Sequence, residues 1–288
     1  MELQDLIQNI RKVELLSEKL TQQKLAGLFN SAFKGRGWEL DHIRKYEVGD
    51  NVKDIEWNVT ARFRETHVKT FTQEKERLVW LLLDVSQSVA HQAPGRSKHD
   101  VALELAAALA FSALESQDRV GLICYSDKIE RFVPAARGKV HFWRIAQELV
   151  SVRPRGQATD TAAAIQFLLD SNPRRSVVCL ISDFVGTDYG RASHILAQQH
   201  EMVAIRVFDE REAQVPRLGW VRLQDAESGQ TRWVNTSAAS FQQRQQQQYA
   251  EVAHNFEQAY GHSAVRSLAV GTGGQHLEAL IGFLQPGR

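Results

Sequence analysis

The stretch LVWLLLDVSQS, residues Leu78–Ser88, decides the fold. Its first half is an unbroken apolar run that is too short to span a membrane. Such a run is typical of a strand buried on both faces, as in the parallel sheets of α/β proteins. Three oxygen-bearing side chains follow at two-residue spacing, Asp84, Ser86 and Ser88. Because alternate side chains of an extended chain point to the same side, we expect one carboxylate and two hydroxyls to converge.

Downstream of this strand, apolar strand-like runs alternate with helical segments. Further strands are predicted at 120–125, 129–133, 176–182, 202–208 and 265–270, and a hairpin at 220–234. Helices are predicted at 98–115, 139–150, 161–169, 192–199, 238–260 and 276–284. The alternation predicts an α/β fold with a mostly parallel central sheet flanked by helices on both faces. Ligand sites in such sheets lie beyond the carboxyl ends of the strands.

The first 77 residues differ in character from the rest, so we predict two domains, 1–77 and 78–288. Residues 1–33 carry an apolar stripe at three- and four-residue spacing, which predicts a helix. Residues 34–77 mix aromatic side chains with charges of both signs, and the alternation in HVKTF (67–71) predicts a short strand. Aromatic residues interleaved with Arg and Lys are compatible with nucleic-acid binding. The interspersed acidic residues favour a packed, salt-bridged module instead.

The composition excludes several classes of protein. A net charge of +1 leaves no basic excess for a general nucleic-acid binder. Cys124 and Cys179 each lie inside an apolar run, which indicates buried free thiols rather than a disulfide scaffold or a cysteine metal site. No stretch approaches the roughly 20 apolar residues of a membrane span, and the N-terminus lacks the layout of a signal peptide. We therefore expect a cytoplasmic protein without a transmembrane segment.

Oxygen-bearing side chains occur in three predicted loops at strand ends or helix starts. These residues are the candidate metal ligands Asp84, Ser86, Ser88, Thr159 and Asp183. Carboxylate and hydroxyl oxygens are hard donors that favour Mg²⁺, Mn²⁺ or Ca²⁺ over zinc. Such an ion, if one position were held only by water, would accept a carboxylate from a partner molecule. Each residue alone also has a structural explanation, since Asp84 suits a turn, Thr159 or Asp160 a helix cap, and Asp183 a loop.

The same five residues, Asp84-x-Ser86-x-Ser88 with Thr159 and Asp183, resemble the metal-ion-dependent adhesion site of von Willebrand factor type A domains. The context is also similar, because Ser97-Lys98 opens the first helix and QDRVGLI (117–123) resembles the family's usual strand entry. The resemblance implies a Rossmann-like fold. It also implies that the two serines and the threonine bind the ion directly, while the two aspartates act directly or through water.

A block of residues before Leu78 resembles one particular family that contains such domains. This block is similar to the hallmark of the bacterial domain-of-unknown-function 58 family. Its residues are Arg44-x-Tyr46-x-x-Gly49-Asp50, followed by Ile55-Glu56-Trp57 and Ala61-Arg62. In that family the block precedes a von Willebrand A domain, and the genes commonly lie beside MoxR-type ATPases of the AAA+ class. Two positions depart from the family pattern: Glu56 stands where aspartate is usual, and Val89 where methionine is common. The resemblance implies a partner or adaptor of such an ATPase.

Three functions are compatible with these residues. The first is a metal-dependent protein-interaction module or adaptor that presents Mg²⁺ to an acidic residue of a partner, with no enzymatic activity and no catalytic residue. The alternative is a metal-dependent hydrolase of the phosphatase type. Against it, the residue two after Asp84 is Ser86 rather than a second aspartate, and no GxSxG, GxxxxGK[ST] or HExxH motif is present. In the third function, the ion is a structural metal ion that only stabilises the sheet.

Overall fold

The structure is a computed structural model that describes residues 38–73, 77–90, 96–153, 156, 158–186, 189–224, 231–261 and 265–285. The helix predicted over 1–33 lies outside these residues. The chain divides into two compact units, and the boundary falls between Arg77 and Leu78.

The larger unit is built on a six-stranded sheet with the strand order β10-β7-β6-β3-β4-β5. Its strands are β3 Leu78–Asp84, β4 Arg119–Tyr125, β5 Ile129–Ala136, β6 Val177–Ser182, β7 Glu201–Phe208 and β10 Arg266–Gly271. Strand β5 pairs antiparallel with β4 at one edge, and the other neighbours all pair parallel. The predicted α/β fold with a mostly parallel central sheet is confirmed.

Helices cover both faces of this sheet. They are α2 Gln87–Ala90, α3 Lys98–Glu115, α4 Lys139–Ser151, α5 Thr161–Ser171, α6 Tyr189–Gln199, α7 Ala239–Tyr260 and α8 His276–Leu284. Helices α4 and α8 pack with α3 on one face, and side chains of α5, α6 and α7 join a core cluster on the other. Helix α3 is alanine-rich and begins with a capping box, in which the Ser97 and Asp100 side chains each bond the other's backbone N–H.

Strand β3 is buried on both faces, as its apolar run predicts. Val79, Leu81, Leu82 and Leu83 have no exposed surface, and each contributes roughly 1.5–3 kcal/mol by burial. The chain leaves β3 toward β4 on one side and later returns to β6 on the other. The strand order therefore reverses between β3 and β6, and this is the place where open α/β sheets bind ligands.

A separate hairpin, β8 Trp220–Gln224 and β9 Thr231–Asn235, pairs antiparallel and confirms the hairpin predicted in this region. A 3-10 turn at Glu210–Ala213 lies between β7 and the hairpin. Across the described ranges, no helix combines the length and the apolar character needed to cross a bilayer.

The smaller unit pairs β1 Trp38–Lys45 antiparallel with β2 His67–Gln73. A 3-10 turn, Val52–Asp54, and helix α1, Trp57–Phe63, lie between these strands. The Arg44 guanidinium forms two parallel hydrogen bonds to the Asp50 carboxylate, at 2.8 and 2.7 Å. Asp50 in turn accepts the backbone N–H of Glu47, which closes the turn at Gly49, where φ is +114°. Arg44 and Asp50 thus hold the turn of this block together.

Candidate metal centre at the end of the central strands

Asp84 lies at the carboxyl end of β3, beside the point where the strand order reverses. Its side chain is completely buried. One carboxylate oxygen, Oδ1, accepts the backbone N–H of Ser86 at 2.9 Å, and the other, Oδ2, accepts the Ser182 hydroxyl at 2.7 Å. Ser182 ends the neighbouring strand β6. Asp84 therefore bridges the ends of the two strands, and both of these partners are uncharged.

The two serines converge with Asp84, but by a different geometry from the one predicted. Strand β3 ends at Asp84, and Ser88 lies in the short helix α2 rather than in extended chain. The turn is closed by the Asp84–Ser86 hydrogen bond, an arrangement that aspartate favours. The Ser86 and Ser88 hydroxyl oxygens still come within 3.0 Å of one another. The prediction that residues 84–88 form extended chain was therefore wrong, although the two serine hydroxyls do lie close together.

Burial sets the electrostatics of Asp84. Burial, reinforced by the negative charge of Asp183, raises the pKa of Asp84 to about 7, although the hydrogen bonds from Ser86 and Ser182 favour its ionised form. No ion pair to Asp84 is formed by any residue within the described part of the chain. The ionised carboxylate is thus a buried negative charge that no described side chain neutralises.

Asp183, by contrast, has a positive partner. The Lys98 ammonium at the start of α3 is 5% exposed and lies 2.9 Å from Asp183 Oδ2 and 2.7 Å from Glu212 Oε1. Burial lowers the pKa of Lys98, but the two carboxylates more than offset this and leave it raised. Asp183 Oδ1 accepts the backbone N–H of Val185. Each carboxylate oxygen retains a further lone pair, so Asp183 can still orient a water molecule or accept a cation.

The backbone after Asp183 is strained. Phe184 is 2% exposed and has a φ of +56°, an unfavourable conformation for a bulky side chain. The Ser182 hydroxyl accepts the Phe184 N–H at 3.0 Å, and this bond fixes the turn. The Phe184 ring packs against Tyr189 of α6 and against Phe256 and Tyr260 of α7, with ring centroids 5.1, 4.9 and 5.7 Å away. Packing on two helices therefore holds this turn in place.

Thr159 lies in the loop before α5. The loop is tied to the end of β4, because Asp160 N donates to the Ser126 carbonyl at 2.9 Å. Asp160 caps α5 by accepting the Ala163 N–H at 2.8 Å, so the capping explanation holds for Asp160. The Thr159 hydroxyl is shielded from solvent and makes no hydrogen bond to the other four candidate ligands or to any other residue that the structure describes. A buried hydroxyl without a partner is unusual and indicates a missing ligand or water.

These observations fit a hard divalent cation. The structure groups Asp84, Ser86, Ser88 and Asp183 through hydrogen bonds and charge, and it places an unpartnered Thr159 hydroxyl on the loop anchored to the adjoining strand. In the part of the chain that the structure describes, no group of three or more His, Cys, Asp or Glu side chains is positioned to hold a metal ion. A cation here would therefore need the hydroxyl oxygens as well as the two carboxylates.

Several residues that shape this site were not identified from the sequence. They are Lys98, Glu212, Ser182, Tyr125 and Thr161. The Tyr125 hydroxyl is buried beside Asp84 and lies 3.2 Å from the Thr161 hydroxyl, so it links the end of β4 to the start of α5, directly after the Thr159 loop. The only sequence signal for Ser182 was its place directly before Asp183. A lysine at the start of a helix carries no signal that it will be buried.

The chain is similar to several known proteins. The model of the family described as "Protein of unknown function DUF58" matches residues 42–255. The uncharacterized proteins Rv1480 of Mycobacterium tuberculosis and Mb1516 of Mycobacterium bovis are each 33% identical over 222 residues, which cover 75% of this chain and 70% of theirs. Among solved structures, the conserved hypothetical protein BatB from Bacteroides thetaiotaomicron is 17% identical with a TM-score of 0.47, over 72% of this chain and 97% of that one. On the match of the family model and of the mycobacterial relatives, the chain belongs to the DUF58 family.

Proposed function

We propose that this protein is a metal-dependent protein-interaction module, in which a von Willebrand A-like domain binds an acidic residue of a partner through Mg²⁺ at the end of β3. In this proposal the protein is not an enzyme. Ser86, Ser88 and Thr159 supply hydroxyl oxygens to the ion, while Asp84 and Asp183 supply the negative charge. Mn²⁺ and Ca²⁺ are the other ions that suit these donors.

The observation that carries the proposal is the buried, unneutralised carboxylate of Asp84. Among the described residues its hydrogen-bond partners are the uncharged Ser86 and Ser182, and it lies at the sheet position where ligands of α/β proteins bind. The unpartnered Thr159 hydroxyl supports the proposal independently, since a cation would give it a partner.

The residues of the chain have separate tasks in this proposal. A bound divalent cation supplies an electrophilic centre for a carboxylate of the partner. Ser182 and the Ser86 N–H hold the Asp84 carboxylate in one orientation through its two oxygens. Lys98 neutralises Asp183, so the site carries less negative charge than its two carboxylates suggest. A site of low net negative charge leaves a bound divalent ion with residual positive charge, which attracts an anionic partner.

The partner that we propose is a MoxR-type AAA+ ATPase or its client, on the strength of the family resemblance. A cytoplasmic location is part of the same proposal. It agrees with the two free, fully buried cysteines, Cys124 and Cys179, because reducing compartments keep thiols free.

The proposal is tested first by isothermal titration of the full chain with Mg²⁺. We expect one saturable event for wild type and none for Asp84→Asn, while Thr159→Val binds more weakly. The matched control is Asp170→Asn, which removes an exposed carboxylate of α5. The second step is recovery of partners from a native lysate in Mg²⁺ and in EDTA. A AAA+ ATPase retained by wild type and by Asp170→Asn only in Mg²⁺, but not by Asp84→Asn, supports the adaptor function.

Two outcomes of these experiments would contradict the proposed function. Undiminished Mg²⁺ binding by Asp84→Asn would remove the ion from this site. Partner recovery that ignores both the metal and the substitution would leave the ion, at most, a structural role.

A further inference from the structure

The hairpin of β8 and β9 carries two large aromatic side chains on one face. Trp220 on β8 is 69% exposed, and Trp233 on β9 is 67% exposed. Residues directly opposite on paired strands share a face, and so do alternate residues of one strand. Arg222 lies two residues after Trp220 and pairs with Trp233, so the three side chains share one face of the hairpin. We call it the Trp–Arg face.

The hairpin is anchored at its base to helix α7. Gly219 N donates to the Ser237 hydroxyl at 3.0 Å, and Thr236 N donates to the Gly219 carbonyl at 2.8 Å. The Gln242 side-chain amide of α7 donates to the Val215 and Thr236 carbonyls, at 2.8 and 2.7 Å. These bonds tie the hairpin to the larger unit, so the Trp–Arg face is presented on a fixed support.

The exposure of this face indicates an interaction surface. Two indoles that lie side by side in water form an apolar patch, and such patches mark binding sites in soluble proteins. Arg222 is exposed as well, and no carboxylate among the described residues forms an ion pair with it. Trp and Arg are the side chains that most often dominate the binding energy of an interface. A partner that covers this face would therefore gain both apolar contact and a charge.

The chemistry of the three side chains restricts what that partner offers. An indole has one N–H donor and a guanidinium has five, and neither group has an acceptor. The complementary ligand therefore supplies acceptors and, for Arg222, a negative charge. A proline-containing segment suits such donors, because its carbonyls are free to accept and its proline nitrogens carry no hydrogen. The positive charge of Arg222 favours an acidic residue beside the proline.

The spacing of the two indoles suits a proline ring. Trp220 and Trp233 are diagonal neighbours across the strand pair, and such neighbours lie roughly 7 Å apart. Side chains on strands stand roughly perpendicular to the sheet, so the two rings flank a slot. A ring in contact with both walls needs about twice 3.5 Å, which matches this width. Arg222 lies directly across from Trp233, so a carboxylate next to the proline can reach it.

We propose that the Trp–Arg face binds a proline-containing acidic segment of a partner protein in the polyproline II conformation. A proline ring lies between Trp220 and Trp233, and a carboxylate pairs with Arg222. Aromatic surfaces bind such segments well because the polyproline II helix is already extended and loses little conformational freedom. Single-stranded nucleic acid also combines flat rings with negative charge. The net charge of +1 provides no basic excess for its phosphates, which favours the protein segment.

Binding is tested by NMR of the indole N–H groups in the full chain, in EDTA. The probe is an acetylated and amidated peptide in which one glutamate is flanked by two prolines on each side. One control peptide has glutamine in place of the glutamate, and a second has alanine in place of every proline. We expect saturable shifts of the Trp220 and Trp233 signals with the probe. The glutamine peptide should bind about three- to fivefold more weakly, the loss of one exposed charge pair, and the alanine peptide should give no saturable response.

A third tryptophan is the internal control. Trp57, on helix α1 of the smaller unit, is 66% exposed and therefore as accessible to a peptide as the two indoles of the hairpin. Its signal should stay unchanged. A Trp57 shift as large as those of Trp220 and Trp233 would mean that the peptide coats exposed indoles in general, and it would overturn the site.

Variants separate the parts of the face. Arg222→Gln should bind the glutamate and glutamine peptides equally. Its matched control is Arg232→Gln, which should keep the preference for glutamate, because Arg232 directly precedes Trp233 and points to the opposite face. Trp220→Ala and Trp233→Ala should each weaken binding of the probe about tenfold, since each removes one wall of the slot.

Other outcomes would overturn the proposal. Trp220 and Trp233 signals that ignore the probe would remove the site, and equal binding of the glutamate and glutamine peptides by wild type would remove the acidic residue. Signals that move with protein concentration alone would assign the face to a second copy of this chain. Tighter binding of single-stranded oligothymidine than of the probe would assign it to nucleic acid. These readouts come from wild type in EDTA, so they stand if a variant does not fold and are independent of Mg²⁺ at Asp84.

Discussion

Replacing Asp84 with asparagine tests the central electrostatic argument. Asparagine keeps the shape of the side chain and an oxygen that accepts the Ser86 N–H, but it cannot ionise. If Asp84 is a buried charge awaiting a cation, its removal should make the metal-free protein more stable at neutral and alkaline pH. A residue with a purely structural role would give the opposite result.

The size of the effect follows from the pKa of Asp84. That pKa is about 7 in the folded chain against an ordinary value of 3.8. Between these values the folded chain binds a proton that the unfolded chain has lost. The free energy of unfolding therefore falls as the pH rises through this window. At about 1.4 kcal/mol per unit, the total is about 4 kcal/mol, reached in full above the higher value.

The assay is urea denaturation in EDTA at about pH 5 and about pH 8, which span the upper part of the window between 3.8 and about 7. His99 and His200, whose pKa burial lowers, contribute a slope of opposite sign. That slope is common to wild type and variant, so the difference between the two chains isolates Asp84. We expect Asp84→Asn to exceed wild type by a few kcal/mol at the higher pH and to approach it at the lower one. Asp170→Asn should follow wild type throughout.

Mg²⁺ completes the test. At the higher pH, added Mg²⁺ should raise the stability of wild type, because an ion that binds only the folded chain stabilises it. It should leave Asp84→Asn unchanged. A variant with the same pH dependence as wild type would refute the buried-charge reasoning. Equal stabilisation of both chains by Mg²⁺ would show that the ion binds elsewhere.

Three further substitutions probe the frame around the site. Gly121→Ala should destabilise the fold by about 1–3 kcal/mol in urea denaturation, because a methyl group there would overlap the ring of Trp80. Gly190→Ala on α6 is the control: its methyl group meets no atom within 4 Å, so stability should change little. Lys98→Met should lower stability by about 3–5 kcal/mol, because it leaves two carboxylates without their ammonium, and unchanged stability would contradict the buried ion pairs. Gly156→Ala should weaken Mg²⁺ binding measured by calorimetry, because a methyl group would overlap the side chains of Ser126 and Asp127 in the turn that anchors the Thr159 loop. Unchanged affinity would contradict this coupling between the turn and the ion.

Local sequence pattern predicted most of the large unit. The apolar run before Asp84 and the alanine-rich segment after Ser97 gave β3 and α3, because burial on both faces leaves a continuous apolar signal. Helix α6 begins at Tyr189, earlier than the predicted 192. In the 34–77 region the strand around HVKTF and a turn at 48–51 were predicted, and both are present. Strand β1 and helix α1 were missed, since charged residues alternate there without a clean apolar face.

The candidate site was predicted by residue type but not by its electrostatics. A strand followed by oxygen-bearing residues indicates a ligand site, and the five candidate residues lie around the ends of β3, β4 and β6. Burial of the ammonium of Lys98 depends on how α3 packs on the sheet, which no local pattern encodes.

The strained turn at Phe184 has a consequence for how a partner would meet this surface. To relax into a favourable conformation, Phe184 would have to leave a packed cluster of rings contributed by α6 and α7. The turn that carries Asp183 is therefore set in one shape before any partner arrives. A preset surface loses little conformational freedom when it is occupied, so more of the contact energy is available as affinity. Any partner bound at this surface would also be selected by shape, because the turn cannot remodel itself around a poor fit.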